Sequence, residues 1–269
     1  MILSEIHNVL ANGEIMIPTE AAPARRTPIV TWTLIALNVI IFFYLIFKGG
    51  RALQIATMKY GMIPSQILAG KKLYTIITSM FLHGDIFHLL GNMIYLHVFG
   101  SGVESRMGRM KFLVFYFASG ICASIAHIII QVLFAYPIII YGPYHIPIRV
   151  VNPLDIPCIG ASGAISGVLG AYLLMFPYSK VSIMTYTIFG LPIVISLPAI
   201  VFIGFWFLYQ LYMGFISLLA PFIYYSGVAF WAHIGGFISG MILCLALGRQ
   251  ARKRRIYYTG RRWYEVPIS

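Results

Sequence analysis

Ser162 sits among closely spaced glycines in the stretch 159–171, IGASGAISGVLGA, which then runs straight into an apolar helix. A serine hydroxyl is a weak nucleophile at its own pKa and becomes useful only beside a base. The base offered by this chain is His233, in WAHIGG. Two further polar side chains, His88 and Asn92 of HLLGN, are spaced i, i+4 and so share one helix face. The chemistry these residues could perform is acyl transfer. Ser162 would attack a carbonyl carbon and His233 would take its proton. His88, Asn92 and the Ser162 backbone N–H at a helix N-terminus would donate to the oxyanion. No carboxylate shares their level, because Asp155 falls in a loop and Asp85 at the start of a span. A Ser–His dyad is therefore expected rather than a triad. No HExxH is present, and Cys122, Cys158 and Cys244 lack metal-like spacing, so neither metal nor cofactor is expected.

These residues must be held by a membrane protein. Of the 269 residues, 60% are hydrophobic and only 10% charged, with a mean hydropathy of +0.87. A soluble domain carries about 25% charged residues, so this chain cannot cover a water-facing surface. The formal net charge of +12 does not point to nucleic acid, because the basic residues are unevenly spread. Arg249, Arg252, Lys253, Arg254, Arg255, Arg261 and Arg262 crowd into the tail, just beyond an apolar span. Such a cluster reads as a cytoplasmic anchor on anionic lipid. No basic and then apolar leader opens the chain, so no cleavable signal is expected.

The hydropathy pattern predicts an all-α integral membrane protein. A short polar cytoplasmic arm covers 1–26, a membrane domain 27–248 and the basic tail 249–269. Six spans are expected at about 29–47, 86–103, 112–135, 162–176, 197–219 and 227–247, each judged against a hydrocarbon core of roughly 30 Å. Asp85 is expected to cap the second, and Pro221 to stop the fifth. The Pro-rich loop 136–157 cannot be a regular helix, and 178–196 reads as an inner-interface segment. With both termini inside, thirteen of the nineteen basic residues lie on the inner side, which favours an N-in, C-in topology.

Depth brings the polar groups together. At 1.5 Å per residue, Ser162 and His233 each lie about 9 Å below the outer edge, His88 about 8 Å and Asn92 about 13 Å. Gly163 and Gly167 on the fourth span, and Gly236 and Gly240 on the sixth, form two GxxxG pairs that let backbones approach closely. Gly160 and Gly163 are assigned to the turn around the nucleophile, and Gly167 to packing. His127 and His97 are read as interhelical glue, and Gln131 and Gln210 as residues near span ends facing an interface.

The set HLLGNMIYLHVFGSGVESRMGR, GASGAISG and GVAFWAHIGGFISG resembles the rhomboid family of intramembrane serine proteases. The resemblance runs from about residue 27 to 248, with the motifs in the family's order. It implies Ser162 as nucleophile in GxSG, His233 as base in AHxxG, and His88 and Asn92 as oxyanion helpers in HxxxN. Glu104 and Arg106 match the family's structural ExR turn. A six-helix bundle follows, acting on transmembrane segments of other proteins near the outer face. The fifth span would be the helix usually proposed as a lateral gate, and the setting the plasma membrane of a prokaryote. Ser166 departs from the family, because some members carry there an aromatic that packs on the catalytic imidazole. Trp231 or a tyrosine would have to replace it. A catalytically silent relative that retains membrane clients is the alternative reading, against which the presence of both Ser162 and His233 speaks.

Overall fold

In the computed structural model, residues 17–20, 27–134, 136–141, 147–186, 192–219, 227–247, 254–258 and 263–267 are described. Strand β1 (Ile17–Glu20) precedes α1 (Ile29–Phe47). Helix α1 opens behind Pro28 with no cap from its own neighbourhood. The cap comes from Glu104, 2% exposed and 73 residues further on. Its carboxylate accepts the Val30 N–H at 3.0 Å, the Thr31 N–H at 2.7 Å and the Thr31 hydroxyl at 2.7 Å. An anion there satisfies donors that have no intrahelical partner and meets the positive end of the helix dipole. Glu104 thus ties the first helix to the third. Arg106 instead lies at the surface, its guanidinium 5.6 Å from the centre of the Phe176 ring.

The largely exposed α2 (Gly50–Tyr60) and two short helical turns lead to α3 (Ile86–Met107). Asp85 caps α3 by accepting the His88 N–H at 2.9 Å, as the sequence suggests. A π-helical turn interrupts it at Leu96–Gly100. Gly108, at φ +87°, then redirects the chain into α4 (Arg109–Phe134). The Pro-rich loop folds into a hairpin of β2 (Ile138–Tyr141) and β3 (Pro147–Val151). Met62 and Cys158 exchange backbone hydrogen bonds at 2.7 and 3.0 Å, which pins the end of that loop beside the next helix.

That helix, α5 (Ser162–Met175), is the centre of the bundle, and every residue from Ala164 to Tyr172 is buried. A helix that is apolar all round belongs in a core. Its own Tyr172 shares one core with the large buried rings of its neighbours, Phe99, Phe112, Phe115 and Tyr116, with Phe99 edge-on to Tyr172 at 5.0 Å.

After β4 (Lys180–Tyr186) and β5 (Pro192–Pro198) come α6 (Ala199–Leu219) and α7 (Phe230–Ala246), and the described chain ends in a hairpin of β6 (Arg254–Tyr258) and β7 (Trp263–Pro267). Helices α1, α3, α4 and α6 are long and apolar enough to cross a membrane. Helices α5 and α7, of 14 and 17 residues, reach about 21 and 25 Å, short of a roughly 30 Å core.

The expectation of an all-α chain is corrected here. The molecule is mostly helical, but β1, β4 and β5 form an antiparallel sheet in the order β1-β4-β5. The reason is local. Val181, Ile183, Thr185, Ile193, Val194 and Ile195 are β-branched, a type whose χ1 is restricted in helices and which packs well on a pleated surface. Prolines bound β5 at both ends and stop a helix from running through. Val181 and Ile183 turn inward, while Ile193, Val194 and Ile195 are exposed. The arm at 1–26 therefore supplies a strand, and the basic tail includes a hairpin with Arg254 and Arg255. Arg249, Arg252, Lys253, Arg261, Arg262 and Pro221 lie outside the described residues.

Candidate active site

Gly160 sets the entry to α5. Its φ of +123° suits glycine, and its N–H donates to the Ser79 carbonyl at 2.9 Å. A Cβ at Gly160 would come within 2.8 Å of His88 Nε2 and 3.6 Å of Ser162 Oγ. The imidazole of α3 and the hydroxyl of α5 thus both border the space that a methyl at Gly160 would fill. Two residues later the helix starts, so the Ser162 N–H is among the first four donors, which have no intrahelical acceptor.

Helix α7 crosses α5 at glycines. A Cβ on Gly236 would overlap the Gly163 carbonyl, and a Cβ on Gly240 would overlap the backbone of Gly167. Gly163 and Gly167 also face Ala123 and Ser119 of α4. Gly163 is thus a packing residue like Gly167, and only Gly160 belongs to the turn. The close crossing brings His233 Nε2 to 2.8 Å from Ser162 Oγ.

His233 has a second partner that its sequence neighbours do not announce. Its Nδ1 lies 2.8 Å from Gln210 Oε1, on α6. Gln210 is buried and stands eleven residues after Ala199 and nine before Leu219. Assigning it to a span end is therefore wrong. Counting 1.5 Å per residue puts it about 13 Å from the end of α6, well inside the helix. A polar side chain at that depth was the available signal. The aromatic neighbours of the imidazole are Trp206, one turn before Gln210, with ring centres 6.3 Å apart and planes at 32°, and Phe230, edge-on at 6.5 Å. Trp231 does not serve, because its indole N–H donates to the Gly214 carbonyl and its ring meets Phe215. Ser166 donates back to the Ser162 carbonyl at 2.7 Å, which leaves it no role against the imidazole.

Asn92 is buried, and its amide donates to the His88 carbonyl at 3.1 Å, one turn earlier on α3. An amide carries two N–H donors, so that bond leaves one in hand. Beside His88 stands His83, 1% exposed, with its ring 5.0 Å away and edge-on. Burial, then the charge of His88, lowers the His83 pKa to about 3, so it is neutral.

His127 on α4 approaches Cys158, with Nε2 3.3 Å from Sγ. This is contact across the bundle, as expected of glue, although it has the composition of a second nucleophile–base pair. Burial pushes the Cys158 thiol up to about 12. Reactive thiols are shifted the other way, so Cys158 stays protonated. His97 packs edge-on against Trp32 at 4.9 Å. Among the described residues no cluster of His, Cys, Asp or Glu could hold a metal ion. A cavity of about 40 Å³ touches Ser79, Cys158, Gly160, Ser162 and Ala232. That is room for a water molecule beside the hydroxyl.

Comparison with known proteins identifies the family. A rhomboid domain profile matches residues 70–250. The chain is 31% identical over 231 residues to the rhomboid protease GluP of Bacillus subtilis, covering 86% of this chain and 37% of that protein. It is 26% identical over 238 residues to the mitochondrial rhomboid protein 1 of Saccharomyces cerevisiae, covering 87% and 58%. It is 30% identical over 133 residues to the mitochondrial RHOMBOID-like protein 12 of Arabidopsis thaliana, covering 49% and 37%. The chain therefore spans between about a third and three-fifths of the length of these relatives. With the profile matching well over half of the chain, this integral membrane protein belongs to the rhomboid family.

Proposed function

We propose that the chain is an intramembrane serine endopeptidase that cleaves transmembrane segments near the outer membrane face with a Ser162–His233 dyad. The observation that carries this reading is the 2.8 Å separation between Ser162 Oγ and His233 Nε2. As His233 accepts the proton, Ser162 attacks the scissile carbonyl carbon. The tetrahedral oxyanion meets the Ser162 N–H, His88 and the second N–H of Asn92. The protonated imidazole then gives its proton to the leaving amine, and an acyl-enzyme remains. Water, drawn from the cavity beside Ser162, loses a proton to His233 and releases the acyl group. A silent client-binding relative would need no such contact between hydroxyl and imidazole.

The proposal includes six crossings with both termini inside. The inner excess of basic residues and the matching depth of the site groups support it. The basic tail would rest on anionic lipid of the inner leaflet. The plasma membrane of a prokaryote is the proposed setting, as the likeness to a Bacillus protein suggests, whereas mitochondrial relatives would suit an organelle. The test is cleavage of a reporter transmembrane substrate in liposomes by wild type, Ser162→Ala and His233→Ala. Both variants should stay folded and lose cleavage, and undiminished cleavage by Ser162→Ala would sink the assignment.

A further inference from the structure

The base of a serine dyad has to be in the right tautomer. A neutral imidazole carries its proton on one ring nitrogen and a lone pair on the other. To accept from Ser162, His233 must hold its proton on Nδ1, and something must make that tautomer the favoured one. In a triad a carboxylate does this, but among the described residues no carboxylate is hydrogen-bonded to the dyad. What faces Nδ1 is the side-chain carbonyl of Gln210 at 2.8 Å. An amide oxygen only accepts, so the pair requires Nδ1–H and frees Nε2 for the hydroxyl at 2.8 Å.

We infer that Gln210 is a positioning residue that selects the catalytic tautomer of His233, so that the dyad is oriented by a third helix. The inference rests on the protease reading above. Two observations support it beyond the contact itself. Gln210 is buried in mid-helix on α6, where an amide without a partner is costly. One turn earlier the same helix presents Trp206 to the same imidazole. Helix α6 therefore supplies both a polar stop and an aromatic neighbour, while nucleophile and base stand on α5 and α7. As the proton arrives from Ser162, the same carbonyl stays bonded to what has become an imidazolium, where a hydrogen bond is stronger. A displacement of α6 by the length of one hydrogen bond would strip His233 of this restraint and leave the Ser162 side untouched.

The bland alternative is that Gln210 merely glues α6 to α7. Three measurements on the full chain in liposomes separate the two: kcat and KM on the reporter substrate, the rate at which a fluorophosphonate labels Ser162, and the ¹⁵N shifts of His233. Gln210→Leu should lower kcat about 10- to 100-fold, the scale of one hydrogen bond to a charged group, with KM within about twofold. Labelling should slow in proportion, and the His233 shifts should change from one tautomer to a mixture. Gln210→Glu, which keeps an acceptor at the same reach, should restore most of kcat. Wild-type kcat in Gln210→Leu overturns the inference. So does a loss of kcat that follows a fall in Tm and is not restored by Gln210→Glu. If wild type neither cleaves nor is labelled, the protease reading fails, and the ¹⁵N shifts still decide whether Gln210 selects the tautomer.

Discussion

Two of the interfaces of α7 are built on opposite principles. Towards α5 the tightest contacts are made by backbone: Gly236 and Gly240 lie on the backbone of Gly163 and Gly167. Towards α6 the contact is made by long side chains, with Gln210 on His233, Trp206 on His233 and Phe237, and Phe207 stacked on Phe237 at 4.4 Å. A backbone-to-backbone crossing cannot relax without moving a whole helix. A crossing built from rotatable side chains can be repacked. On the proposed reading the tasks divide accordingly: the α5 side would set the distance between His233 and Ser162, and the α6 side the orientation of the His233 ring.

The largest effect should follow from breaking the rigid side. Gly236→Leu has no room beside the Gly163 carbonyl, and overpacking of this kind costs about 1–3 kcal/mol or more. Loss of cleavage together with a fall in Tm is expected, whereas Gly204→Leu on α6, where a Cβ meets nothing within 4 Å, should change neither. Equal damage from the two would erase the distinction. Asn92→Ala, away from both interfaces, should lower kcat by about 10²-fold with KM kept, as for other lost oxyanion donors. A pure KM effect would assign Asn92 to substrate binding.

Smaller effects should come from the adjustable side. Trp206→Leu keeps an apolar neighbour for His233 and should cost about threefold to tenfold in kcat, within the range of a single aromatic contact. It should leave Tm nearly unchanged, as side-chain repacking predicts. The last effect is a pH slope. His83 is neutral when folded, with its pKa lowered to about 3, while in the unfolded chain it titrates near 6.5. The unfolded state therefore takes up a proton first, and stability should decline as pH falls from about 6.5 towards 3. His83→Gln should flatten that part of a plot of Tm against pH.

Much of this arrangement is legible without coordinates because its causes are local or periodic. The i, i+4 spacing of His88 and Asn92, the capping of α3 by Asp85 and the two GxxxG faces are properties of a single helix each. The family motifs add Glu104 and Arg106, and only the fold explains why the former is buried: its carboxylate caps the first turn of a helix, bonding the N–H of Val30, 74 residues earlier. The hairpin of β4 and β5 is not legible in hydropathy, because its β-branched residues are as apolar in a strand as in a span and differ only in backbone preference.

Ser162 and His233, and the small-faced helices that carry them, can be picked out as candidates from the sequence itself, since residue type and spacing need no neighbours. Gln210 cannot. Helical periodicity says which face a residue occupies, but not which helix lies opposite that face, and Gln210 has no motif to declare it. Only the packing of α6 against α7 decided that an isolated amide in mid-helix lies against the imidazole.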